Sequence, residues 1–314
     1  MSKVDIIIPN YNGVRFLSPC LDALAAQTCH DLRIIVVDDA STDDSVALIR
    51  ERYPHVELIA LAHNGGFVRA VNAGIRASNG EYVLLLNNDT IAEPRMVEAL
   101  VTTLERYPQY AIAAAKLLLF DQPNHLHTTG DGYGWNGVPF SRGVWQADHG
   151  QFDAIAEVFG ACAGAALYRR SALMHLADDH GNVLDPFLTM YCEDVDLNLR
   201  ARRAGFRTIF VPQARVLHHL SATGGGVLAS YYCGRNFILI WLKNLPLPIL
   251  IKSAPQFLKA QAHVTFEAIK HIRGAAARAR LRGQLAGIRD AWHVIKQRRF
   301  MPAETDNLNE WIGR

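Results

Sequence analysis

The chain has 314 residues, half of them apolar and a fifth charged, with a formal net charge of +2. Those figures fit a folded protein with a large core and exclude a highly charged disordered chain. The five cysteines are scattered without a CxxC pair, which predicts reduced thiols rather than a disulfide frame or a zinc site.

The N-terminus runs into a predicted strand, Val4 to Ile8, with no basic and apolar leader before it, so no secretory signal is expected. Arg15 to Ala26 reads as a helix with Phe16, Leu17, Leu21 and Leu24 on one face. Leu32 to Val37 is an apolar strand ending in Asp38 and Asp39, and Ser41 is expected to cap a helix through Arg52. Val56 to Leu61, Val68 to Ala77 and Tyr82 to Leu86 continue as strand, helix and strand. Apolar strands separated by helices predict an α/β fold with a mostly parallel central sheet flanked by helices. Ligands of such sheets sit beyond the carboxyl ends of the strands. The polar clusters Asn10–Gly13, Asp38–Asp39, Asn64–Gly66 and Asn87–Asp89 all fall there.

From about 120 to 153 periodicity fades, which predicts a long loop or irregular hairpins. Gly132 to Gly137 spells GxGxxG but lacks the strand before it and the helix after it, so it reads as loop. Val158 to Tyr168 reads as a buried strand, and Thr208 to Val211 and Ala214 to Leu217 as strands on either side of Pro212. Between them, Glu193, Asp194 and Asp196 crowd the start of a helix, where one carboxyl can be shifted toward proton transfer. After Tyr231 the chain is expected to be helical to Phe300. From Lys243 to Arg299 twelve Lys and Arg face only Glu267 and Asp290. Interleaved with Phe, Trp, Leu and Ile, that charge predicts contact with an anionic membrane surface rather than nucleic acid. No run reaches the length of a membrane span.

Singly the sheet-edge motifs are weak. Asp39 can accept from a ribose hydroxyl or a base, and Tyr11 can pack on a base. Asp89 suits Mg²⁺ or Mn²⁺ held between phosphates, Asn87 is a poorer ligand, and His218 or His219 could reach a metal or phosphate. Together and in this order, Val4 to Gly13, Val36 to Ser41, His63 to Phe67 with Asn72, Leu85 to Asp89 and Tyr191 to Arg200 with Gly205 resemble the family 2 glycosyltransferases, inverting enzymes of the GT-A fold. The rhamnosyltransferase-like and galactofuranosyltransferase-like members are the nearest in pattern.

That resemblance, covering about residues 3 to 240, implies a donor half at 1–120, an acceptor half at 121–235 and a basic helical region at 236–314. It implies Pro9, Tyr11, Asp39, Asn64, Arg69 and Asn88 on the nucleotide sugar, and Asp89 with His218 on a divalent metal (Mg²⁺ or Mn²⁺). His219 misses the family position by one, and Asn87 replaces the first acid of the DXD motif. Asp194 would be the catalytic base, with Glu193 on the acceptor. The implied reaction moves a sugar from a nucleotide-diphosphate sugar, such as dTDP-rhamnose or a UDP-sugar, to a glycan or lipid-linked acceptor in bacterial surface polysaccharide synthesis. The implied place is cytoplasmic and peripheral on the membrane, and a homodimer is compatible. The rival readings are a nucleotidyltransferase, which lacks its basic phosphate loop here, and a non-catalytic nucleotide-sugar scaffold.

Overall fold

Val4, Ile6, Ile7 and Ile8 are fully buried in β1 (Val4–Asn10), whose near-continuous apolar run suits a strand covered on both faces. The structure, a computed structural model, describes residues 2–219, 226–298, 308 and 310–313. After β1 come α1 (Val14–Ala25), β2 (Leu32–Asp38), α2 (Ser45–Arg52), β3 (Glu57–Ala60), α3 (Phe67–Ala77) and β4 (Tyr82–Leu86). Then follow β5 (Thr90–Ala92), α4 (Met96–Arg106), β6 (Ile112–Leu119), β7 (Gln122–Thr128), β8 (Asp131–Tyr133), β9 (Pro139–Ser141), β10 (Ala156–Val158), β11 (Ala165–Arg169) and α5 (Arg170–His175). The remainder is α6 (Glu193–Arg203), β12 (Thr208–His218), α7 (Val227–Asn244), α8 (Leu247–Lys270) and α9 (Ala275–Gln297).

The chain forms two compact units: 1–131 with 141–189 and 206–220, and 132–140 with 190–205 and 221–314. The first holds a ten-stranded sheet whose main path is β10-β12-β6-β11-β4-β1-β2-β3. Its β3-β2-β1-β4 half is parallel, as the alternating strands and helices predict. The other half is mixed, because β11 runs antiparallel between β4 and β6 while β12 runs parallel to β6. Parallel pairing sets Asn10 beside Asp38 and Ile7 beside Leu85, so the polar residues that end β1, β2 and β4 meet at one edge.

Several expected boundaries moved. Val158 to Tyr168 divides into β10 and β11, because the small residues Gly160 to Gly164 turn there, with Ala165 N–H donating to Cys162 O at 3.2 Å. The two strands around Pro212 are one strand, β12, with a register shift where proline offers no N–H to the ladder. Ser41 does not cap α2. It donates to Asp38 Oδ2 at 2.6 Å, and α2 starts at Ser45.

In the second unit α7, α8 and α9 replace one predicted helical stretch, broken at Leu245–Pro246 and before Gly274. Arg299, Phe300 and the Gly-rich stretch after His219 lie outside the described residues. Among the described residues no helix is long and apolar enough to cross a membrane. The GxGxxG string lies in a ribbon of β8 and β9 and opens no helix.

Candidate functional site

In the first unit the strand ends carry a chain of hydrogen bonds. Asn10 Nδ2 donates to Asp38 Oδ2 at 2.8 Å, and Asn10 Oδ1 accepts from Asn88 Nδ2 at 2.7 Å. Asp38 Oδ1 accepts from Ser41 N–H at 2.9 Å, so both its oxygens are occupied. This network is buried and rigid, and it explains Gly13: a Cβ there would stand 2.2 Å from Asn88 Nδ2 and 2.4 Å from Asn10 Oδ1. Asn88, expected to touch the nucleotide sugar, has its amide tied into this network.

Asp39 is turned the other way. Its Oδ1 accepts from Gly65 N–H at 2.8 Å and its Oδ2 from Gly66 N–H at 2.7 Å. The carboxylate thereby shapes the 63–66 loop, and Gly66 adopts φ +86°, a region open to glycine. Each oxygen keeps a second lone pair for a ligand hydroxyl or N–H. On the loop Asn64 is exposed, and Arg69 Nη1 contacts His63 Nε2. Pro9 is half-buried in β1, and Tyr11 just beyond it is about half exposed, as a residue that packs on a ligand must be. Pro9, Tyr11, Asp39, Asn64 and Arg69 thus all lie at the strand-end edge of the parallel half.

Asp89 and His218 are far apart in sequence and adjacent in space. β5, directly after Asp89, pairs antiparallel with the end of β12, setting Thr90 opposite His218, and His219 N–H donates to Asp89 O at 2.9 Å. His218 Nε2 lies 3.2 Å from Asp89 Oδ1. Yet Asp89 Oδ1 is buried without a hydrogen-bond partner among the described residues, and so is Asn87 Oδ1. Buried oxygens left this way call for a ligand. Two donors on one octahedral Mg²⁺ stand about 3 Å apart, given metal–ligand bonds of about 2.1 Å. The oxygen and imidazole donors here therefore fit a divalent cation. His219 packs instead on Phe120, ring centroids 3.5 Å apart, and on Phe16 at 5.3 Å. Behind His218 stands His127, with Nδ1 2.9 Å from His218 Nδ1. Burial, and then the repulsion that would arise if both rings were protonated, lowers the His127 pKa to about 3, so it is uncharged at neutral pH.

The acids belong to the second unit and open α6. Tyr191 at φ 60° and Cys192 at φ 66° are left-handed non-glycine residues that turn the chain into the helix. Buried Asn236 in α7 holds this turn, donating to Met190 O at 3.0 Å and Tyr191 O at 2.7 Å. Its Oδ1 accepts from Arg235 Nη1 at 3.0 Å, and Arg235 Nε donates to Asp290 of α9 at 2.8 Å. Asp194 Oδ1 accepts from Val195 N–H at 2.8 Å, a first-turn arrangement that favours the carboxylate.

The three acids separate by environment. Burial, then the charge of Asp194, pushes Glu193 up to about 8, and its Oε2 has no hydrogen-bond partner among the described residues. Asp196 is fully buried. Burial alone would raise its pKa, but Lys243 and Arg200, with bonds of 2.8 Å from Lys243 Nζ and Asn244 Nδ2, hold it far below the usual carboxylate range. The crowding visible in sequence therefore falls on Glu193, while Asp196 is an anchor.

Reading the sequence missed Asn10, His127 and Asn236. Asn10 stood inside a motif whose signal was already noted. His127 lay in the irregular segment and Asn236 inside an apolar helix, where a single polar residue carries no pattern.

A protein-family model described as "Glycosyl transferase family 2" matches residues 5–177. An N-acetylglucosaminyltransferase of Mesorhizobium japonicum is 34% identical over 228 residues, covering 68% of this chain and 50% of its own length. The chain spans about half the length of the curated relatives it matches over most of its own. Among solved structures, S. aureus TarS 1–349 aligns with a TM-score of 0.57 at 14% identity, over 95% of this chain and 91% of that one. The mannosyltransferase PcManGT from Pyrobaculum calidifontis, in complex with GDP-Man and Mn²⁺, aligns at 0.57 and 15% identity, over 93% and 87%. At these identities the structural likeness shows the fold, a glycosyltransferase α/β fold with a central sheet flanked by helices.

Proposed function

The chain belongs to glycosyl transferase family 2, and on that premise we propose that it transfers a sugar from a nucleotide-diphosphate sugar to an acceptor hydroxyl with inversion. The observation that carries this reading is the set of buried, unsatisfied oxygens of Asp89 and Asn87 beside His218 Nε2. Asp89 and His218 would hold a divalent cation there, with Asn87 Oδ1 as a neutral third donor. When bound, the cation offsets the charge that develops on the leaving diphosphate. Asp39 and the glycine N–H groups it fixes shape the nucleoside end, and Tyr11 packs on the base.

Asp194 takes the proton of the attacking hydroxyl. As the acceptor oxygen forms its bond to the anomeric carbon, the bond to the diphosphate oxygen breaks and its electrons leave with the diphosphate. Asp194 accepts from Val195 N–H at the start of α6, whereas Glu193, with its raised pKa, keeps its proton at neutral pH and can donate a hydrogen bond to the acceptor. A positioned base of this kind contributes about 10²–10⁴-fold.

The test is nucleoside diphosphate release from a panel of nucleotide sugars with Mn²⁺ or Mg²⁺, alongside thermal shift with the same donors. N-acetylglucosamine, the sugar in the name of the Mesorhizobium relative, is the first to try; dTDP-rhamnose follows. Asp194→Asn should lose turnover by about 10²–10⁴-fold and keep the donor-induced shift. Donor binding lost in parallel would remove Asp194 from the base role. Pyrophosphate release would favour a nucleotidyltransferase, and binding without turnover a scaffold.

An anionic membrane surface is the proposed docking partner, on the cytoplasmic face, with a lipid-linked acceptor. Leu247, Ile251, Leu258, Phe266 and Ile269 on α8, and Leu285, Ile288, Trp292 and Ile295 on α9, recur at helical spacing yet are 38% to 68% exposed. Exposed Lys252, Lys259 and Lys270 accompany the first stripe, and Arg282, Arg289 and Lys296, seven residues apart, the second. Apolar residues edged by cations suit an anionic bilayer, while the like charges would repel a second copy. Flotation with vesicles of anionic lipid against neutral lipid decides it. Equal binding to both would remove the charge argument.

A further inference from the structure

We infer that His127 is a positioning residue that fixes which nitrogen of His218 carries the proton, leaving His218 Nε2 unprotonated with its lone pair beside Asp89. The inference rests on the metal-site reading above.

Two observations carry it independently of each other. The first is hydrogen-bond bookkeeping around His218. Its Nε2 lies 3.4 Å from Asn87 Nδ2, and an amide nitrogen only donates, so Nε2 stands on the accepting side. Asp89 Oδ1 is 3.2 Å from the same nitrogen and receives no hydrogen bond from it. Nε2 therefore carries no proton. A neutral imidazole must then hold its proton on Nδ1, and that atom lies 2.9 Å from His127 Nδ1. The bond runs from His218 Nδ1–H to His127 Nδ1, and His127 carries its own proton on Nε2.

The second observation is how His127 reaches this place. β7 pairs with β6 so that Leu126 faces Leu118 and Thr128 faces Leu117. His127 is the additional residue between them, the bulged position of the strand. Such bulges re-aim a side chain that regular alternation would send elsewhere. Both rings are buried, His127 at 8% and His218 at 6% exposure, so water competes poorly for the shared bond. A partner on the far nitrogen orients a ligating histidine and raises its basicity, and its loss typically costs 10–100-fold in metal affinity.

Two experiments test this on the full chain. Long-range proton–nitrogen correlation spectra of the nitrogen-labelled, metal-free protein should show His218 protonated on Nδ1 and His127 on Nε2. A proton on His218 Nε2 overturns the inference whatever the metal does. Separately, Mn²⁺ alone is titrated and free ion read by electron paramagnetic resonance. His127→Leu should bind about 10–100-fold more weakly, and His127→Asn, whose carbonyl can accept in place of Nδ1, should recover to within about threefold of wild type. Metal-free unfolding temperatures are measured beside each variant. Wild-type affinity in His127→Leu, or equal loss in both variants, overturns the positioning role. If Asp89→Asn binds Mn²⁺ as wild type does, the metal site itself is refuted and the spectra alone judge the tautomer.

Discussion

In the first unit, β1 and β4 hide their aliphatic side chains completely, whereas in the second, α8 and α9 leave nine large apolar residues in contact with solvent. Composition does not separate these regions, since both are rich in Leu and Ile. The difference lies in what covers them. The central strands have helices and neighbouring strands on every side, so their apolar surface contributes to folding at about 25 cal/mol per Å² buried. The outer stripes of α8 and α9, only partly covered, contribute less to folding in water and stay available for association. The polar groups divide the same way: Asp38 in the first unit has hydrogen bonds on both oxygens, while Glu193 in the second has an oxygen with none among the described residues.

The strongest attempt to break this contrast exchanges like for like. Leu84→Ala in β4 should cost about 2–5 kcal/mol in chemical denaturation, whereas Ile288→Ala in α9 should stay within about 0.5 kcal/mol and instead weaken flotation with anionic vesicles. Similar costs at the two positions would mean that the α9 stripe is covered in solution.

The polar contrast predicts opposite signs. Glu193 has a folded pKa of about 8 against roughly 4.3 unfolded, so the native state binds the proton more tightly. Its contribution is fully present below the unfolded value and is lost as pH rises toward 8. Glu193→Gln should therefore match wild type near pH 4 and exceed it above pH 8 by on the order of 5 kcal/mol. Asp38→Asn should destabilise at neutral pH by about 1–3 kcal/mol, because it breaks a satisfied network. A flat Glu193→Gln difference across that range would show that Glu193 is ionised in the folded protein.

Within the second unit, Asn236→Leu strips two carbonyls of their donor at the turn that aims Asp194. It should cost about 1–3 kcal/mol and lower turnover about 10–100-fold with the donor-induced thermal shift intact. Loss of that shift would place Asn236 in donor binding. The smallest effect belongs to a single surface charge: Lys296→Gln should weaken anionic-vesicle binding by about 1 kcal/mol at low salt, a difference that vanishes at high salt.

Much of the first unit could be read in advance because its signals are local. Continuous apolar strands, the acids that end them and the glycine-bearing loops each announce themselves within a few residues. The antiparallel insertion of β11 could not be read, since pairing direction depends on which strands are already neighbours. The stretch from 90 to 119 yielded no expectation, although it forms β5, α4 and β6 and carries the partner strand of His218.

By itself the sequence determined the family, the alternating α/β order, the strand-end placement of Asp39 and Asp89, and the unusual mixture of cations and apolar residues near the C-terminus. Only the tertiary structure decided that Asp38 is sealed inside while Asp39 holds the glycine loop, that His218 and not its neighbour faces Asp89, and that burial raises the Glu193 pKa. It also decided that the apolar faces of α8 and α9 point outward. The physical reason is the same throughout. Residue type fixes which interactions a side chain can make, but desolvation, tautomer and exposure are set by groups brought from distant parts of the chain, here β5 to β12, β7 to β12 and α7 to the turn before α6.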